Sequence, residues 1–430
     1  MPKSPTPTRR QFLAATAAIA APMIIPASAL GLDGTVAPSE RLAVGCIGTG
    51  NRGMSNLAAF KAKPEVQIVA VCDVDATRRA QGADLAGIGA DASYNDYREL
   101  IARADVDAVS IATPDHWHAL NTIDAANAGK DIFCEKPVSL TIAQGRKMAD
   151  AVAKNQRMLQ AGTWRRSSAA CRQACELVRN GYIGELQAVE CGVPEGFAIQ
   201  GEFKPGYPVE PVPEGFDYEM WLGPAPQKPY TPARCHFNFR WILDYGAGYI
   251  TDWGAHYYDI AQWGAGMDDT GPVRISGAAE FPRKGELFDA SVKHLIEFEY
   301  ANGVRIIALS SSDQKRYGIK FIGSEGWLHV ESTAITSSIP GIDQVVLKDS
   351  DIRLYKSDDH VQDFINCVKS RQLPTAPIEI AHRTASICHL GHIATTLKRE
   401  LKWDPAKEAF KGDDEANAMR DRPMRGDWKI

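Results

Sequence analysis

The stretch that most restricts this chain begins at Leu42. Leu42 to Ile47 (LAVGCI) is a short apolar run, and Gly48-Thr49-Gly50-Asn51-Arg52-Gly53 follows it without a break. Apolar residues at consecutive positions suit a strand buried on both faces of a parallel sheet. A helical pattern follows, from Met54 to Lys61. Strand, G-x-G-x-x-G and helix in that order form a dinucleotide cradle. The first glycine permits a tight turn, the second lets backbone approach a pyrophosphate, and the third lets helix and strand pack closely. A second strand, Gln67 to Cys72, runs into Asp73. That carboxylate lies about twenty residues past the glycines, where it can receive ribose hydroxyls. It favours NAD, because it would repel a 2′-phosphate; Arg78 and Arg79 nearby keep NADP as the alternative. The competing reading of Asp73 is a cap on the strand–helix turn.

The alternation continues through strands at Asp107 to Ala112, Asp131 to Cys134 and Arg157 to Ala161. Helical patterns at His118 to Gly129 and Thr141 to Asn155 separate them. This predicts an α/β fold with a doubly wound parallel sheet over 41–163. Ligands of such sheets sit at the carboxyl ends of the strands. The glycine loop, Thr113-Pro114-Asp115-His116-Trp117-His118 and Glu135-Lys136-Pro137 all follow strand ends and should line one crevice.

Past Gly162-Thr163 the pattern changes. An amphipathic helix spans Ala169 to Arg179, and a new strand opens at Gly184. Residues 192–239 are rich in Pro, Gly and aromatics with little period, as expected of a segment that covers a site or joins a neighbouring subunit. Asn302-Gly303 between two strand patterns marks a hairpin. Residues 164–430 therefore read as an α+β substrate or dimerisation domain with an open, mainly antiparallel sheet. Helices are expected at about 359 to 370 and 380 to 401. The charged tail from Asp413 either wraps over the body or is loosely ordered.

The N-terminus reads as a targeting segment. Thr8-Arg9-Arg10-Gln11-Phe12-Leu13 carries twin arginines, an Ala-rich run broken by Pro22 and Pro26 follows, and Ala27-Ser28-Ala29 is a small-x-small cleavage signal. The run is too short and interrupted for a stable membrane span. The pattern resembles a twin-arginine export signal over residues 1–29, with 30–40 a linker. Such a signal implies export of the folded chain to the periplasm, with a tightly held cofactor because no free pool exists there. A formal net charge of −5 gives no electrostatic case for nucleic acid. The nine cysteines include no CxxC pair and read as buried small hydrophobes. His116 and His118 without a matching Cys or Glu cluster argue against a zinc site, so no metal is expected.

Ala112 to His118 (ATPDHWH), Glu135-Lys136-Pro137 and Asp252-Trp253-Gly254-Ala255-His256, in this order, resemble the Gfo/Idh/MocA oxidoreductase family. The resemblance implies that Lys136, Asp252 and His256 form the catalytic group. It also implies that Thr113, Pro114, His116, His118 and Glu135 join Gly48, Gly50, Asn51, Arg52, Gly53, Asp73 and Lys136 around the cofactor. The chemistry agrees. Carbinol oxidation needs a hydride acceptor and a base. Histidine, with an ordinary pKa of about 6.5, can take a proton at working pH. Asp252, one helical turn before His256, can orient the imidazole or complete the group. Lys136 can polarise the substrate oxygen or, with its pKa lowered, act as base instead. The base stays open between the two. Trp164, Arg240 and Tyr245 are candidates for gripping polar substrate; an ion pair and aromatic packing are the competing roles for the last two. The expected activity is hydride transfer to or from a hydroxyl carbon of a sugar or cyclitol. A glycoside hydrolase working by transient oxidation is the alternative, and a homo-oligomer is expected.

Overall fold

The computed structural model describes residues 36–201, 206–331 and 333–430. The expected export signal at 1–29 and most of the expected linker lie outside the described residues. The first half contains β1 (Leu42–Ile47), α1 (Asn51–Lys61), β2 (Val66–Cys72), α2 (Ala76–Ala86), β3 (Ser93–Tyr94), α3 (Tyr97–Ile101) and β4 (Ala108–Ile111). It continues through α4 (Asp115–Asn127), β5 (Asp131–Cys134), α5 (Ile142–Lys154) and β6 (Leu159–Ala161). The six strands form one parallel sheet in the order β3-β2-β1-β4-β5-β6. The order reverses between β1 and β4, and the two loops that diverge there leave a crevice at the strand ends.

The second half begins with α6 (Ala169–Arg179), β7 (Leu186–Pro194), α7 (Tyr218–Leu222), α8 (Tyr249–Asp252) and α9 (Gly254–Ala265). β8 (Arg274–Glu280), β9 (Lys293–Glu299), β10 (Arg305–Ser311), β11 (Gly318–Gly323), β12 (Trp327–Val330) and β13 (Ile335–Ser337) follow. The chain closes with α10 (His360–Ser370), α11 (Ile378–Leu397), β14 (Leu401–Asp404), β15 (Ala409–Phe410) and α12 (Asp414–Ala418). The nine-stranded sheet runs β13-β12-β11-β7-β10-β9-β8-β14-β15. All its pairs are antiparallel except β7 with β10. Helices α6, α9 and α11 pack on the sheet and on one another.

Two features depart from the linear reading. The Asp-x-x-x-His segment is not one helix: the ladder breaks at Trp253, leaving Asp252 at the end of α8 and His256 in α9. The late helices also return to the first half. Phe364 of α10 meets Phe60 and Phe133 edge-on at 5.9 and 5.8 Å. Ala376, Ile378, Ala381 and Ala385 join the core that α4 and α5 cover. The N–H of Ala161 donates to the carbonyl of Ala376 at 2.9 Å, so the outer strand of the parallel sheet is capped by chain from the far end.

Candidate functional site

The glycine turn is shaped by close approach. Gly48 has φ +84°, and a Cβ there would sit 2.8 Å from the backbone of Ala112. A Cβ at Gly53 would lie 1.8 Å from the carbonyl oxygen of Gly48, so any larger residue forces α1 off β1. Gly50 caps α1 with no side-chain hydrogen bond, leaving the first-turn amides without a protein cap. Amides of that kind, at the positive end of a helix, receive phosphate oxygens. The residues present thus fit a dinucleotide diphosphate.

A cavity of about 410 Å³ opens above this turn. Gly48, Gly50, Asn51, Arg52 and Asp73 line it from β1, α1 and β2. Asp73 accepts the amide and hydroxyl of Thr49 on Oδ2 at 2.8 and 3.3 Å and the Asp75 amide on Oδ1 at 2.9 Å, which leaves Oδ1 with a further lone pair. Burial raises its carboxyl pKa even though those amides and Arg78 oppose the shift. Arg78 also faces the cavity, its guanidinium only 2.5 Å from where a Cβ on Gly50 would stand. Thr113, Pro114 and His118 line the opposite wall. The ring nitrogens of His118 lie 2.7 Å from the carbonyl of Pro137 and 2.8 Å from that of Thr113, tying this wall to the Lys136 loop. His116 is not among the lining residues. Its ring is buried at 3.0 Å from the Trp221 carbonyl and packs on Tyr245, bracing the wall from behind.

Glu135 anchors the next loop. It accepts from Arg52 Nε at 2.7 Å and Asn56 Nδ2 at 3.0 Å. Burial opposes its ionisation, but Arg52 and Asn56 hold its pKa below the usual range. The neighbouring Lys136 points into the cavity, and its Nζ donates to Asp252 Oδ1 at 2.7 Å and to the Asp252 carbonyl at 2.8 Å. Arg240 Nε reaches the same Oδ1 at 3.3 Å. Against the cost of burial, these two cations hold the Asp252 carboxyl below its ordinary pKa. Asp252 therefore serves Lys136 and Arg240, and no hydrogen bond joins it to His256. Of the two expected roles, orienting the imidazole or completing the catalytic group, the contacts of this carboxylate to Lys136 and Arg240 match the second.

His256 Nδ1 is buried without a partner. Burial first, then the charges of Lys136, Arg165 and Arg52, push its pKa well below the ordinary value and keep the ring neutral. Trp164 stands edge-on to it at 6.2 Å. Tyr245 is fully buried against His116 and Trp221 and takes the packing role. The linear reading gave no role to Asp115, at the N-terminus of α4 and facing the cavity. Burial raises its pKa to about 8, with Arg240 opposing. An acidic residue opening a helix reads as a dipole partner, so its burial was invisible before folding. Phe216, Met220, His236 and Phe237, from the irregular 192–239 segment, complete the cavity. Among the described residues, no group of three His, Cys, Asp or Glu side chains could hold a metal ion.

A parallel switch-point sheet, an uncapped glycine turn and a lysine–carboxylate pair beside it define a dinucleotide-dependent oxidoreductase. The family matches say which. An oxidoreductase-family NAD-binding Rossmann fold matches residues 42–163, and the oxidoreductase-family C-terminal alpha/beta domain matches 168–430. The chain belongs to the Gfo/Idh/MocA oxidoreductase family, and its cofactor is NAD. It is 26% identical over 315 residues to an uncharacterised oxidoreductase, YrbE, of Bacillus subtilis, covering 72% of this chain and 80% of that protein. Inositol 2-dehydrogenase of Salmonella typhimurium is 36% identical over 146 residues, 34% of this chain and 43% of that one. Alpha-N-acetylgalactosaminidase of Shewanella oneidensis is 31% identical over 207 residues, 41% of this chain and 44% of that protein. In both of the last two, the match spans less than half of the relative's length. Among solved structures, aldose-aldose oxidoreductase of Caulobacter crescentus superposes with a TM-score of 0.63 at 18% identity, covering 84% of this chain and 99% of that one. That likeness is one of fold.

Proposed function

We propose that this protein transfers hydride to or from a hydroxyl carbon of a sugar or cyclitol, with NAD held as a resident group. The observation that carries the reading is the Lys136–Asp252 pair, 2.7 Å apart and lining or adjoining the cavity above the glycine turn. The uncapped amides of α1 would hold the diphosphate, Asp73 would receive the ribose hydroxyls, and Thr113, Pro114 and His118 would wall the ring. When bound, the nicotinamide supplies the hydride acceptor or donor. Lys136, held in place by Asp252, donates a hydrogen bond to the substrate oxygen and stabilises charge as it develops there. His256, neutral and with its buried Nδ1 unpartnered, takes the hydroxyl proton. Arg240 holds the same Asp252 oxygen through Nε and presents the donors not taken by Asp252 and the Phe237 carbonyl to the sugar.

Export by the twin-arginine route is part of the same proposal, supported by Arg9, Arg10 and the run that follows them. All nine cysteines are buried and free, consistent with folding before export. Among the described residues, no helix is long and apolar enough to cross a membrane. Homo-oligomerisation is proposed on the open sheet, where Leu295 of β9 is 58% exposed. The matched galactosaminidase supports a second reading, transient oxidation followed by elimination, hydration and re-reduction with no net redox change.

One experiment separates the two. Purified protein is mixed with free sugars, cyclitols and aryl glycosides while nicotinamide absorbance and aglycone release are followed. Accumulating reduced cofactor supports the dehydrogenase; aglycone release with no net absorbance change supports the hydrolase. No response to any of them removes both.

A further inference from the structure

The carboxyl end of β6 delivers a side chain that the dinucleotide does not need. Trp164 opens a 3₁₀ turn, Trp164–Ser167, directly after β6, one strand outward from the β5 end that carries Lys136. The two loops touch: a Cβ on Gly162 would lie 2.6 Å from the Glu135 carboxylate. From this turn the indole of Trp164 stands beside His256, ring centroids 6.2 Å apart at 68°. Of the nine tryptophans, Trp164 is the most exposed, at 37%.

An indole held open to water beside a reacting group calls for a physical reason. This one is fixed. The guanidinium of Arg165 lies 5.0 Å from its ring centroid and 4.8 Å from that of Tyr257. Arg165 is itself buried, at 6% exposure, and donates to Glu331 Oε1 at 3.0 Å and to the Glu331 carbonyl. The ring is thus braced from behind by an ion pair that reaches across to the end of β12. The exposed remainder of the indole is apolar and rigid. Its electron-rich face attracts the weakly positive C–H groups of a pyranose, and a rigid aromatic loses little entropy on binding.

We propose that Trp164 is the platform for a second sugar ring, so that the substrate is a glycoside of at least two rings. Its reacting ring lies at Lys136 and His256, and its neighbour stacks on the indole. This rests on the carbohydrate reading of the same site and narrows it.

The test uses the full chain loaded with NAD, and pairs of methyl monoglycosides with the matching disaccharides: glucosides with maltose and cellobiose, galactosides with lactose, N-acetylglucosaminides with chitobiose. Binding is measured by calorimetry and turnover by nicotinamide absorbance. In the wild type, one disaccharide binds about tenfold tighter than its monosaccharide. Trp164→Ala collapses that ratio towards one, and Trp164→Phe restores most of it. Retained NAD in both variants shows that they fold. A ratio near one in the wild type, with monosaccharides bound and turned over, overturns the second subsite and leaves the carbohydrate reading standing. A ratio that survives Trp164→Ala also overturns it. No binding of any sugar, large or small, removes both.

Discussion

At the scale of single residues the site is a question of which groups carry charge. Lys136 and Asp252 form an ion pair at 2.7 Å, and losing Lys136 leaves Asp252 with Arg240 alone, at 3.3 Å. Lys136→Met should lower turnover by about 10²- to 10⁴-fold while NAD stays bound, read as single-turnover hydride transfer against bound-cofactor content. Equal turnover would deny Lys136 its role. Asp115 gives a pH prediction. Burial raises its pKa from 3.8 to about 8. A carboxyl group with a raised folded pKa contributes most below its unfolded value, and the contribution is lost as pH rises through the folded one. The wild type should therefore lose stability relative to Asp115→Asn between about pH 4 and pH 8, levelling above that. Parallel melting curves in that window check it, and a pH-independent difference would reject it. The Lys136–Asp252 contact was not legible in the chain, because 116 residues separate its members. Helical periodicity linked Asp252 to His256 instead, and only the folded backbone shows the break at Trp253.

At the scale of elements, the buried parallel strands were the most legible. Leu42–Ile47 and Asp131–Cys134 stand close to where their apolar runs stop, because burial on both faces keeps the strand interiors apolar. Helix Ala169–Arg179 was equally clear from its single apolar face. By contrast β8 (RISGAAE) has one residue in the core and otherwise small or charged ones, and β14 is four residues long, so neither left a periodic trace. The segment 192–239 had no period because its order comes from the other half. The N–H of Asp217 donates to the Val74 carbonyl at 2.9 Å, that of Ala76 to Gly215 at 2.8 Å, and Asn95 Nδ2 to Asp217 at 2.8 Å. These bonds pin a wall of the cavity across the end of β2. The tail fastens the same wall from outside. Arg425 Nε donates to the carbonyls of Gly223 and Ala225 at 3.1 and 2.9 Å, while Trp428 packs edge-on to Trp117 at 5.0 Å. Arg425 does not line the cavity, so Arg425→Ala should speed cofactor release several-fold without touching the cofactor, read by dilution of the NADH-loaded protein. Unchanged release would confine the tail to a surface role. Gly53→Ala belongs to this scale too. With 1.8 Å between the added Cβ and the Gly48 oxygen, α1 must move, at a cost of roughly 1–3 kcal/mol by thermal melt.

At the scale of the molecule, the cofactor half is not a self-sufficient unit. Phe60 from α1 and Phe133 from β5 meet edge-on at 5.5 Å, and the third ring of that cluster is Phe364 from α10. Val361 and Ile365 complete the same core. Arg371 adds a bidentate contact to Asp131, at 2.6 and 3.1 Å, at the start of β5. The stretch 360–385 thus supplies the packing that a parallel sheet needs on both faces, although about 200 residues of the other half intervene between it and β6. That dependence couples cofactor binding to the whole chain. A fragment covering 41–163 leaves Phe60 and Phe133 facing water on one side and Ala161 without its carbonyl partner. It should be poorly folded, with weak near-ultraviolet dichroism and no NADH affinity. Adding a synthetic peptide spanning 358–398 should restore part of both signals. In the full chain, Phe364→Ala should cost about 3–5 kcal/mol and shift one common melting transition followed by both NADH fluorescence and far-ultraviolet dichroism. A fragment that folds and binds NADH alone, or a variant in which only the second half loses stability, would show that the late helices merely rest against the cofactor domain.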